Sequence, residues 1–159
     1  MINTLYLPEL REMLAAHDLG ELQEFCTALH PARTAEFMEG LSPDEAWAVL
    51  QAADRNTRAQ IFSYLPEEMQ VAILETSDPK GVSQLIADMP PDDRVDLMKK
   101  ADPVIVEEVL ALVPTKERRD ILRLRAYPEG TAGALMTTEV AFLPETLTVR
   151  DALEEIGRE

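Results

Sequence analysis

The chain has 159 residues, 46% of them hydrophobic, with 15 basic against 30 acidic side chains and a formal net charge of −15 at pH 7. That balance argues against nucleic acid and against anionic membrane surfaces, which reward basic patches, and favours cations or basic partners. One cysteine allows no internal disulfide, and no signal peptide or membrane-length apolar run is present, so a soluble intracellular chain is expected.

From Met13 onward the sequence repeats every twelve residues. Phe37, Val49, Ile61, Ile73, Leu85, Leu97, Val109 and Ile121 form one apolar column; Met38, Leu50, Phe62, Leu74, Ile86, Met98, Leu110 and Leu122 form the next. The phase extends back through Phe25-Cys26 and Met13-Leu14. So regular a period predicts a stacked solenoid.

Each unit opens on a helix start. The column His30, Ser42, Asp54, Pro66, Asp78, Pro90, Asp102, Pro114 is followed by Pro31, Pro43, Arg55, Glu67, Pro79, Pro91, Pro103, Thr115. A Ser or Asp oxygen accepts a free backbone N–H, and Pro loses nothing where the N–H has no partner. Ser42 with Glu45 fits a capping box. The apolar pair follows, and four residues after its first member come Leu41, Ala53, Leu65, Ser77, Met89, Ala101 and Val113, which completes one helical stripe.

Eight or nine helical residues per unit make a rod of about 12–14 Å, marginal in water by itself. The fold class expected is all-α: a superhelical solenoid of short antiparallel helices, packed as stacked hairpins, whose handedness the sequence leaves open. Trp47 is expected in the core, and Cys26, in an apolar column, as a small buried hydrophobe. His17 and His30 fall at unit boundaries as cap or turn residues, without a nucleophile or metal partner.

The period stops after Arg125, since positions 133 and 134 hold Gly133 and Ala134 where apolar residues are due. Beyond the turn at 126–130, Val140-Ala141-Phe142-Leu143 reads as a short strand, and Thr148 with Asp151 caps a helix bearing Val149, Ala152, Leu153 and Ile156. One strand and one helix cannot enclose a core. The domains expected are therefore 1–125, the repeat array, and 126–159, an incomplete βα tail that opens a second domain.

Four acids stand out: Asp88, Asp92, Asp93 and Asp96. Asp92 and Asp93 lie at a helix start, where the dipole favours carboxylates and a structural role explains them. Asp88 falls near a helix end, where the dipole disfavours an anion, and its column otherwise reads Gly40, Ala52, Tyr64, Thr76, Lys100, Leu112 and Leu124. A lone anion set against the local field suggests that a cation is expected there.

The join carries a family resemblance. Tyr127-Pro128-Glu129-Gly130-Thr131-Ala132-Gly133-Ala134-Leu135-Met136-Thr137 resembles the segment that leads from the N domain into the first CBS domain of MgtE magnesium transporters and channels. Leu29-His30-Pro31 and the stretch from Ile86 to Met98 look like that family's N-domain repeats. The resemblance implies a magnesium-sensing regulatory domain, not an enzyme, at the cytoplasmic face of the membrane. It implies partnership with the CBS domains and connecting helix of the same transporter, which is a homodimer, and gating by Mg2+ bound weakly between the N and CBS domains. It also implies metal contacts from Asp88 and Asp92 and a backbone carbonyl from Gly133; Asp93, beside Asp92 in the acidic cluster, is counted with them as a metal candidate. Without that resemblance, a solenoid scaffold that holds a protein partner in its groove remains the rival reading. Gly130-Thr131-Ala132-Gly133 is too short and too poor in glycine to cradle a phosphate.

Overall fold

The computed structural model describes residues 6–128, 130–134, 136 and 142–157. Ten helices carry the repeat: α1 Leu7–Ala16, α2 Leu19–Ala28, α3 Pro31–Met38, α4 Pro43–Ala52, α5 Arg55–Tyr64, α6 Glu67–Thr76, α7 Pro79–Asp88, α8 Pro91–Lys100, α9 Pro103–Leu112 and α10 Thr115–Arg125. A single 3₁₀ turn, Ala132–Ala134, and helix α11, Val149–Ile156, follow. From α4 to α9 each helix has ten residues, so the helix plus a two-residue joint makes up the period. The helices are slightly longer than the sequence suggests.

The joints follow from their residues. Ser42 accepts the Glu45 N–H at 3.2 Å while Glu45 accepts the Ser42 N–H at 2.8 Å, the reciprocal capping box. Asp54, Asp78 and Asp102 each accept N–H groups from their own first turn, and His30 Nδ1 accepts from Ala32. His17 closes α1 in the left-handed conformation, with φ 52°. Both histidines therefore serve the chain's turns.

A second kind of cap works across the joints. Arg58 on α5 reaches back to the end of α4, where Nε donates to Leu50 O at 2.9 Å and Nη2 donates to Gln51 O at 3.2 Å and Ala53 O at 3.0 Å. Twelve residues on, Gln70 Nε2 donates to Phe62 O, Ser63 O and Leu65 O at 3.0, 3.2 and 3.0 Å. Arg94, in the same column, donates from Nε to Met89 O at 2.6 Å. These side chains satisfy carbonyls that a short helix leaves without partners.

The closest packing joins helices two apart, such as α2 with α4, α3 with α5, α7 with α9 and α8 with α10, more tightly than consecutive helices. Odd and even helices thus build two layers, with the paired columns between them. Of the sixteen column positions from Phe37 to Leu122, fifteen are buried. Leu122 is the exception, 53% exposed, while Leu124 two residues on is 2% exposed. Among the described residues, no helix covers the side on which Leu122 lies. Trp47 is buried against α7, where a Cβ on Gly81 would lie 2.9 Å from its ring. Cys26 is 1% exposed, and burial pushes its thiol pKa up to about 11.

In the tail, the Thr148 hydroxyl accepts the Asp151 N–H at 3.3 Å and caps α11 as expected. The expected strand is not seen in Phe142 and Leu143, which are in no strand; Val140 and Ala141 lie outside the described residues. A strand needs a partner to complete its ladder, and none is described beside this one. Helix α11 has no buried residue, and Val149, Leu153 and Ile156 are more than half exposed. Among the described residues, no helix is long and apolar enough to cross a membrane.

Candidate functional site

The acids singled out by sequence lie around the end of α7 and the first turn of α8. Asp88 is the last residue of α7, and Asp92 and Asp93 stand in the first turn of α8 behind Pro90, which supplies no side-chain cap. Asp88 and Asp93 line one cleft of about 530 Å³ with Asn56, Ala59, Gln60, Ser63, Tyr64 and Pro90. A smaller hollow continues past Ser63 and Asp93 to Asp96, Glu67 and Lys100. Asp92, half-buried, is not part of either wall. Asp96 faces outward and pairs with Lys99 Nζ at 3.7 Å.

Two electrostatic features define the cleft. Burial raises the Asp93 carboxyl above the usual carboxylate range, and the charges of Asp92 and Asp96 add to this. The neighbouring Ser63 hydroxyl opposes them, although its buried Oγ makes no well-formed hydrogen bond. Asp88, for its part, already has a cation. Arg55 Nε donates to Asp88 Oδ2 at 2.9 Å and Arg55 Nη2 donates to Oδ1 at 2.8 Å, a two-point fork. The positive charge that the position of Asp88 called for is thus supplied within the chain. Arg55 escaped the sequence reading, although it is the one basic residue in a column otherwise made of Pro, Glu and Thr.

Gly133 is not among the residues lining this cleft. Its missing side chain has a packing reason, because a Cβ there would come within 2.3 Å of the Tyr127 ring. The Tyr127 ring packs close against the 3₁₀ turn at Gly133.

A family model, the MgtE intracellular N domain, matches residues 29–130. The chain belongs to the MgtE N-domain family. Two solved structures are similar. The soluble part of a magnesium transporter is 27% identical with a TM-score of 0.85, covering 95% of this chain and 60% of that one. The cytosolic domain of the Mg2+ channel MgtE in complex with ATP is 27% identical with a TM-score of 0.80, covering 94% and 61%. This MgtE N domain with its tail thus spans about three-fifths of either relative. None of the curated proteins compared matches it by sequence.

The donor set of the cleft can be weighed against magnesium. Its groups are hard oxygens: two carboxylates, the Asn56 and Gln60 amides and the orphaned Ser63 hydroxyl. Magnesium takes such donors, keeps several waters and needs only one or two protein carboxylates. Among the described residues no group of three or more Asp, Glu, His or Cys is arranged to hold an ion alone. The residues fit one wall of a hydrated-ion site, not a closed cage.

Proposed function

We propose that the chain is the magnesium-sensing regulatory domain of an MgtE-like magnesium channel, acting at the cytoplasmic face of the membrane. Residues 126–159 are the opening of its first CBS domain. The observation that carries this reading is the convergence of Asp88 and Asp93 on one oxygen-lined cleft, in a chain of net charge −15. Asp88 and Asp93 present carboxylates toward hydrated Mg2+ from the cleft, and Asp92 and the Gly133 carbonyl, which do not line it, belong to the same set by family likeness. The partner wall is the CBS pair and connecting helix, in a protein that works as a homodimer.

The mechanism is electrostatic. Two acidic surfaces repel at close approach, and divalent ions between them turn repulsion into bridging. The state that binds the ion is favoured by about 2.7 kcal/mol per site at a hundredfold excess over the dissociation constant. One such site shifts a two-state equilibrium roughly a hundredfold.

The test is a magnesium titration of a longer protein that includes both CBS domains, followed by small-angle scattering. Magnesium is expected to compact it, and Asp88→Ala with Asp92→Ala to move the midpoint to higher concentration. An unchanged midpoint would remove the site assignment. A tight protein partner that binds independently of magnesium would favour a scaffold role instead.

A further inference from the structure

Arg55 and Asp88 each sit at the wrong end of a helix. Arg55 is the first residue of α5, where free N–H groups and the positive pole of the dipole disfavour a cation. Asp88 is the last residue of α7, where free carbonyls and the negative pole disfavour an anion. One repeat later the same two positions hold Glu67, first in α6, and Lys100, last in α8. These also form an ion pair, with the same 33-residue separation. There both charges agree with their dipoles. The Arg55–Asp88 pair is the charge-reversed copy of a pair that the fold makes in its favourable sense next door.

The reversal gains nothing from the helix dipoles. What it does is put a carboxylate on the lip of the cleft with a removable cation already on it. The Asp88 side chain is only 23% exposed, whereas that of Arg55 is 69% exposed. The anion is held in the wall, and the cation can swing into water without leaving a buried group behind.

From this geometry we propose that Arg55 sets the ion affinity of the cleft: it is an internal competitor that must release Asp88 before a divalent cation can engage that carboxylate. The proposal rests on reading Asp88 as a magnesium-responsive group. The guanidinium fork covers one face of the Asp88 carboxylate and neutralises its charge, so a divalent cation meets a like charge there and competes with Arg55. The chain therefore responds at a higher magnesium concentration than its carboxylates alone would set. Binding also releases the Arg55–Asp88 ion pair between α5 and α7.

The experiment is a magnesium chloride titration of the full chain at constant ionic strength, read from the backbone amide NMR shifts of residues 85–89, 92 and 93. The chains compared are wild type, Arg55→Gln, Arg33→Gln and Asp88→Asn. Arg33 pairs with Glu36 elsewhere on the surface, so its loss makes the same change in net charge away from the cleft. Arg55→Gln is expected to lower the midpoint about two- to fivefold, as for release of an exposed ion pair, with Arg33→Gln near wild type. Equal midpoints for the two glutamine variants overturn the proposal. If Asp88→Asn weakens binding while Arg55→Gln changes nothing, only the role of Arg55 falls. If Asp88→Asn has no effect, the reading of Asp88 falls and takes the proposal with it. Should Arg55→Gln lose its amide dispersion, Arg55→Lys keeps the charge but not the fork, and it must also lower the midpoint.

Discussion

Removing the Arg58 side chain should weaken the joint between α4 and α5 by a calculable amount. Three carbonyls accept from it: those of Leu50, Gln51 and Ala53. The Leu50 carbonyl keeps a second partner, the Ala53 N–H at 3.1 Å. Two carbonyls therefore lose their described donor in Arg58→Ala, at about 1 kcal/mol each net, or ~2 kcal/mol in total. For a chain of this length that is a fall in Tm of about 4–8 °C. The next repeat supplies the control, because Gln70 serves the three equivalent carbonyls with an amide at the same distances. Arg58→Gln should therefore lose less than half as much. Urea unfolding followed by far-UV circular dichroism, with Trp47 fluorescence as a second probe on α4, measures both variants. The reasoning is refuted if Arg58→Ala stays within about 0.5 kcal/mol of wild type, or if Arg58→Gln is as damaging as Arg58→Ala.

Two further outcomes follow from the titrating groups. Asp93 has a pKa raised by burial in the folded state, so that state holds its proton more tightly than the unfolded chain. Stability from this group is then lost as pH rises from the ordinary aspartate range through the raised value. Asp93→Asn should accordingly gain on wild type in parallel urea titrations between about pH 4 and pH 7, and a gap that narrows with rising pH would contradict this. Cys26, with its thiol pushed up to about 11 and 1% exposed, should resist a disulfide reagent at pH 8 until urea unfolds the chain. Rapid labelling of the folded protein would show that α2 opens separately from the rest.

The repeat was legible because a two-residue joint and a ten-residue helix leave one solution for each apolar pair. Burial of Ile61-Phe62 or Leu85-Ile86 depends on local period alone, so the columns could be read without coordinates. Leu122 departs from its column because burial also needs a next helix, and the period cannot say where its last member goes uncovered. Asp88 was visible as the one acid in its column, and Asp92 and Asp93 as acids at a helix start, yet their partners were not. Arg55 lies 33 residues before Asp88, and Arg58 binds the end of the previous helix, contacts set by how the units stack.

By itself the sequence determined that this chain folds into short helices, where each starts and which stripe is buried. These follow from propensity, capping and hydrophobic period, all local along the chain. Only the tertiary structure decided that helices two apart pack most closely, that Asp88 and Asp93 share one cleft and that Arg55 occupies Asp88. Those contacts depend on the rotation between successive units. Charge pairs across a stack form where that rotation brings side chains together, and no local period encodes it.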